Sequence, residues 1–233
     1  MNSPRILAID TATDVCSVAL LHEGAVTLRS EVVGQRHSER ALPMVDAVLQ
    51  AAGVGLRDLD FVAFGAGPGS FTGLRIACGV AQGLAWGAGK CVIGVGNLRA
   101  MADRVFRDES CGRVLCAIDA RMHEAYSAIY AHGRTVEELR PPALARPSDL
   151  AAMAESVDAI AGDALTVFPD AWKDLRGPKT FPALRADAGD IVRVAALPEF
   201  IELAVPPHLA APLYVRDQVA ATIEQRRAQA SVP

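Results

Sequence analysis

The chain has 233 residues, 51% of them hydrophobic, which is enough for one large domain or two small ones. Its 23 Lys and Arg against 27 Asp and Glu leave a net charge of −4, so there is no overall basic field to hold a polyanion, and nucleic-acid binding by this chain alone is disfavoured. The five cysteines include no C-x-x-C pair and sit mostly in apolar runs, which fits a reducing cytoplasm; no secretory leader and no membrane span is expected, the Ala/Gly-rich stretch 77–88 being short and broken by Gln82.

Residues 6–9 read as a short apolar strand and 15–21 as a second, joined by the turn formers Asp10-Thr11-Ala12-Thr13-Asp14. A third strand over 25–33 leads to a helix over 38–52, with Gly53 as its stop and Pro43 either starting or bending it. Residues 61–64 then read as a buried strand, 65–72 as a glycine-rich loop and 73–87 as a helix.

A weak internal repeat organises the rest. Ala8-Ile9-Asp10 recurs as Ala117-Ile118-Asp119; each triplet ends an apolar strand, and each is followed by a polar turn and a second strand. Asp60-Phe61-Val62-Ala63-Phe64-Gly65 has a looser echo in Asp158-Ala159-Ile160-Ala161-Gly162-Asp163. Duplication predicts an α/β protein of two similar lobes, each a mixed sheet with helices: 1–105, 106–204, and a connecting tail with a terminal helix over 205–233.

Two lobes that each open with a strand ending in Asp resemble the actin-like ATPase superfamily with its RNase H-like fold, in which phosphates sit between duplicated sheets. Within it the chain resembles the TsaB (YeaZ) family. The resemblance rests on Leu7-Ala8-Ile9-Asp10-Thr11-Ala12-Thr13, Arg36-His37-Ser38-Glu39 with Leu42-Pro43, Asp119-Ala120-Arg121-Met122 with Glu124 and Tyr126, and Leu213-Tyr214-Val215-Arg216. Its most specific part is the nine-residue string Gly67-Pro68-Gly69-Ser70-Phe71-Thr72-Gly73-Leu74-Arg75. The resemblance implies a non-catalytic paralogue of TsaD, the subunit that places threonylcarbamoyl on the tRNA adenosine beside the anticodon. It further implies a TsaD-type partner, a TsaE-type ATPase docking on the pair, a homodimer when the partner is absent, and tRNA met only through the complex. The other reading is a nucleotide-dependent phosphotransferase or a glycoprotease-like metal hydrolase of the same superfamily.

The candidate sites weigh against that alternative. The catalytic relative carries a His-x-x-x-His metal pair, whereas here Ala41 stands four residues after His37, and a lone His is no metal site. Asp10 is where a phosphotransferase would face magnesium, yet Thr11-Ala12-Thr13 crowds the turn that would wrap a phosphate. Asp10, Thr11, Gly67 and Gly69 are therefore weak nucleotide candidates, and no catalytic residue is assigned. ATP or ADP held at a subunit interface without turnover stays open. In the glycine loop, Thr72 is the expected helix cap, and Arg75 is expected to reach an acidic group or loop carbonyls.

The helices are the stronger functional feature. In the first, Leu42, Val45, Leu49 and Ala52 form one stripe, expected to face the chain's own core, and Met44, Ala47, Val48 and Ala51 form a second, expected to face a partner. In the second helix Ala77, Ala81 and Ala85 recur every four residues, as do Gly79, Gly83 and Gly87. The alanines are assigned to the interface.

Overall fold

The computed structural model describes residues 3–216; the terminal helix expected in the tail falls on 217–233, outside the described residues. The first half runs β1 (Ile6–Asp10), β2 (Val15–His22), β3 (Ala25–Val32), α1 (His37–Ala52), β4 (Phe61–Gly67), α2 (Phe71–Ala88), β5 (Cys91–Gly96) and α3 (Asn97–Asp108). The second runs β6 (Arg113–Arg121), β7 (Glu124–His132), β8 (Val136–Ala145), α4 (Pro147–Ala154), β9 (Ala159–Ala161), α5 (Ala164–Val167), β10 (Lys179–Phe181), α6 (Ala188–Ala195) and α7 (Pro198–Ile201).

Two five-stranded sheets result, in the orders β3-β2-β1-β4-β5 and β8-β7-β6-β9-β10. They correspond strand for strand. Each opens with an antiparallel meander and adds two parallel strands beside its first strand. The two Ala-Ile-Asp triplets end β1 and β6, the central strands, and the looser echo falls on β4 and β9. Even the aspartates that precede those strands do the same work. Asp60 accepts a bond from the Arg5 backbone at 2.7 Å, and Asp158 accepts from the backbones of Gly112 and Arg113 at 2.8 and 2.9 Å.

β1 is buried along its whole length, as a central strand covered on both faces must be. Its alternation sorts the layers: Leu7 and Ile9 face the core under α1 and α2, while Ile6 and Ala8 face a core shared with α3 and α6. That shared core continues into Val114, Cys116, Ala128 and Tyr130 of the second sheet, and α4 and α5 close its far face. Helices α3 and α6 thus lie between the sheets. The helix α6, in the stretch expected to belong to the second lobe, packs on β1, β2, β4 and β5 of the first sheet and is tied to α3 where Arg104 and Arg107 meet the buried Asp190 at 3.4 and 3.2 Å. Sequence could not show this because an apolar face of eight residues does not name the sheet it covers.

α1 begins at His37 and runs through Pro43, which is exposed; the helix stops at Gly53, whose φ of 64° is the left-handed cap a glycine supplies at no steric cost. The tail over 205–210 joins the first lobe as well. Val205 and Val92 exchange backbone bonds at the β5 edge, and the Ala210 carbonyl accepts from Gln82 of α2 at 3.0 Å. Among the described residues no helix is long and apolar enough to cross a membrane.

Candidate functional site

Between the lobes lies a cleft of about 960 Å³, lined by the turn after β1, the loop before α2, the turn after β6, Asp163, Arg185 and the tail over 213–216. This is where duplicated sheets of this topology present the ends of their central strands. All five of the motifs singled out in the sequence contribute residues to it.

Asp10 closes β1 and is buried. Asn97, the first residue of α3, donates from its side-chain amide to Asp10 at 2.7 Å and accepts from the Gly67 backbone at 2.8 Å. Burial pushes the Asp10 carboxyl up to about 6, against the lowering effect of the Asn97 and Ala12 bonds, with the charges of Asp187 and Asp190 adding to the rise. Asp10 does cap backbone, as expected, through a long bond of 3.4 Å from Ala12; Asn97 is the partner the sequence did not reveal.

The glycine loop packs against the turn after β1. Thr11 is buried and donates its hydroxyl to the Gly73 carbonyl at 2.7 Å, and the Ser70 backbone donates to the Ala12 carbonyl at 2.8 Å. A Cβ at Gly73 would overlap the Thr11 carbonyl oxygen, and one at Gly69 would sit 2.7 Å from the Ala12 methyl. At Gly67 the φ is 120°, and a Cβ would come within 2.8 Å of the Leu213 carbonyl oxygen. These glycines let the loop press against the β1 turn and the tail. Thr11, Gly67 and Gly69 thus join the β1 turn, the loop before α2 and the tail.

Two expectations for this loop are corrected. Ser70, not Thr72, caps α2 by accepting from Gly73, because the helix starts at Phe71 rather than Gly73. Arg75 reaches neither an acid nor the loop carbonyls: its guanidinium lies 3.6 Å over the Phe71 ring and donates to the Tyr214 hydroxyl at 2.9 Å. A stacked arginine answers the helix N-terminus through an aromatic face instead of a charge.

In the second lobe Asp119 accepts from the Arg121 backbone at 2.8 Å and donates its own N–H to Asp163 at 2.8 Å. Residues 121–123 all take positive φ, 63°, 54° and 59°, so the turn carries three non-glycine residues in the left-handed region. His37 is buried at the cleft, with Ala41 buried one turn later. Among the described residues no three His, Cys, Asp or Glu side chains converge to hold a metal ion.

The partner-facing residues of the helices are also corrected. Met44 and Val48 are buried in the chain's own core together with Ala41, Val45 and Leu49, and Ala77, Ala81 and Ala85 are buried against the same sheet. Of the stripe assigned to a partner, only Ala47, half-buried, and Ala51, exposed, turn outward. Leu42, expected inside, is 49% exposed. On α2 the exposed residues Phe71, Arg75, Gly79, Gly83 and Gly87 form one row at a spacing of four, and Thr72 and Trp86 are exposed as well, Trp86 at 71%. The run 41, 44, 45, 48, 49, 52 was the available signal, since it is a complete helical stripe once Ala41 is counted as apolar.

Comparison with known proteins agrees with this geometry. Residues 28–225 match the family model described as TsaD, tRNA N6-adenosine threonylcarbamoyltransferase. The chain is similar to the tRNA threonylcarbamoyladenosine biosynthesis protein TsaB of Escherichia coli K12, 40% identical over 93% of this chain and 96% of that protein. It is also similar to TsaB of Haemophilus influenzae, 49% identical over 54% and 53% of the two chains. Among solved structures, YeaZ from Pseudomonas aeruginosa superposes with a TM-score of 0.81 at 35% identity over 91% of this chain and 99% of that one. A Pseudomonas aeruginosa protein described as similar to peptidase YeaZ superposes at 0.83 with 37% identity, over 91% and 100%. With a duplicated two-lobe fold and the Escherichia coli relative matched over 96% of its length, this chain belongs to the TsaB (YeaZ) family.

Proposed function

We propose that the chain is a non-catalytic scaffold subunit in the formation of threonylcarbamoyladenosine on tRNA, and that it acts by docking a TsaD-type catalytic subunit on the outward face of α1 and α2. The observation that carries this reading is the row Gly79, Gly83 and Gly87. Each points away from the chain with nothing within 4 Å of where a Cβ would be. Glycine inside an exposed helix costs roughly 0.5–1 kcal/mol relative to alanine, and nothing in the chain's own packing requires three of them. A face so built lets another helix approach closely, and the exposed Leu42 of α1 and Trp86 of α2 add apolar surface. Self-association through this face when the partner is absent follows from the same surface, and a TsaE-type ATPase would meet the assembled pair.

The phosphotransferase reading is disfavoured by the side chains of Thr11, Ala12 and Thr13 in the turn after β1, where close approach of backbone to a phosphate calls for glycine. A metal hydrolase would need ligands beyond His37.

The test is reconstitution. The chain is mixed with a TsaD-type subunit and analysed by size exclusion, and modification of tRNA is then assayed with the remaining components present and this chain present or absent. A stable complex and modification that depends on the chain support the reading; full modification without the chain overturns it.

A further inference from the structure

Beyond the question of which chain covers α2, the tail itself joins parts of the molecule that the cleft separates. After docking along β5 and α2, it turns across the mouth of the cleft. Leu213 donates its backbone N–H to the Ala66 carbonyl at 2.7 Å, extending the end of β4, and Gly67 is the residue that lets it come so near. Tyr214 accepts from Arg75 at 2.9 Å, and its ring centroid lies 5.6 Å from that of Phe71. Both contacts are with the first lobe.

Arg216 then reaches the second lobe. It meets Glu124 at 2.7 Å, donates to the Ala120 carbonyl at 3.2 Å and lies 3.3 Å from the Met122 sulfur. Among the described residues, every hydrogen bond and ion pair from 205–216 to the second lobe is made by this one side chain. Its three partners all lie on the β6–β7 hairpin, whose tip is the segment with three consecutive left-handed residues. Such backbone persists only where its surroundings over-determine it, and Arg216 binds it from both sides of the turn.

We propose that residues 213–216 form a clasp between the lobes, with Arg216 as its hold on the β6–β7 hairpin and the Tyr214, Arg75 and Phe71 cluster as its anchor on α2. On the far side of the cleft the lobes are joined by the shared core of α3 and α6, so the clasp closes the opposite edge. The other ionic tie across the mouth is Arg185, which meets Asp14 at 2.7 Å and Asp163 at 3.8 Å with its side chain 41% exposed. Exposed pairs hold little, whereas Arg216 is 14% exposed and makes charge-assisted bonds with a fixed fork. The clasp therefore depends on Arg216. Loosening its anchor on the first lobe releases the hairpin on the second.

Hydrogen exchange with mass spectrometry on the full chain tests this, comparing wild type with Arg216→Ala, Glu124→Gln and Tyr214→Phe alongside a thermal melt of each. Arg216→Ala is expected to speed exchange of amides in 119–125 and 66–71 by roughly tenfold, the scale of one charge-assisted bond lost, with β2 and α1 unchanged. Glu124→Gln is expected to act on the same two segments, and it keeps the test usable should Arg216→Ala not fold. Tyr214→Phe is expected to speed exchange in 119–125 although Tyr214 makes its hydrogen bond and ring contact on the first lobe. An unchanged hairpin in Arg216→Ala and Glu124→Gln overturns the proposal. So does a Tyr214→Phe effect confined to the first turn of α2, or a uniform rise across the chain with a lowered melting temperature.

Discussion

Asn97 bridges Asp10 and Gly67, donating to the Asp10 carboxyl at 2.7 Å and accepting from the Gly67 backbone at 2.8 Å. One side chain at the start of α3 thus fixes both the end of β1 and the loop before α2. A Cβ at Gly65 would overlap the Asp10 carboxylate oxygen, so the site is packed closely as well as bonded.

Because Asp10 is pushed up to about 6, it binds its proton more tightly in the folded chain than in the unfolded one, from the ordinary carboxyl range up to that value. Its contribution is therefore fully present below about pH 4 and is lost as pH rises through about 6. Asp10→Asn, which can still accept from Asn97, is expected to remove this loss and to be more stable than wild type at pH 7.5 by on the order of 2 kcal/mol. Asp103 and Asp190 are also raised by burial, so the measurement is the difference between variant and wild type in urea unfolding at pH 4, 5, 6 and 7.5. A difference that does not change with pH would remove Asp10 as its source.

Gly73→Ala drives a methyl into the Thr11 carbonyl, which is backbone and cannot rotate away. A loss of about 2–4 kcal/mol is expected, visible as a lowered melting temperature. Wild-type stability in this variant would mean the loop is not seated on the β1 turn.

On the outward face the expectation reverses. Gly83→Ala meets open space and is expected to stabilise the isolated chain by about 0.5–1 kcal/mol through helix propensity while weakening association with the partner subunit. Gly83→Arg is expected to leave folding intact and abolish association. Met44→Glu and Ala81→Arg place charge in the chain's own core and are expected to unfold it. Size exclusion with the partner beside thermal melts separates these outcomes, and undiminished binding by Gly83→Arg would move the docking face elsewhere.

The isolated chain is expected not to hydrolyse ATP and not to retain a stoichiometric transition metal, since Thr11-Ala12-Thr13 places side chains in the turn after β1 and His37 stands without a second histidine at position 41. Phosphate release and metal analysis check it. Turnover that disappears in Asp10→Ala, with the fold intact, would restore the phosphotransferase reading.

At a net charge of −4 the chain alone is expected to bind tRNA weakly, with useful affinity arising only in the assembled complex. An anisotropy titration at physiological salt measures this, and submicromolar binding by the chain alone would contradict it.

The order of elements from β1 to α2, the duplicated Ala-Ile-Asp strands and the family-specific loop from Gly67 to Arg75 were legible in the sequence, because strand periodicity, turn formers and local motifs are short-range signals. What a residue four or five positions along a helix faces is a different kind of fact. Leu42 and Ala41 are neighbours on α1, and only the sheet beneath decided that the alanine goes in and the leucine out; on α2 the alanine and glycine rows are equivalent by spacing, and the same sheet chose between them. Asn97 meeting Asp10, Tyr214 meeting Arg75 and Arg216 meeting Glu124 join residues 87, 139 and about 90 positions apart, where no local pattern can specify the partner. Those pairings exist because two sheets pack on the shared helices α3 and α6, which brings the ends of β1, β4 and β6 to one cleft and leaves the tail a path across it.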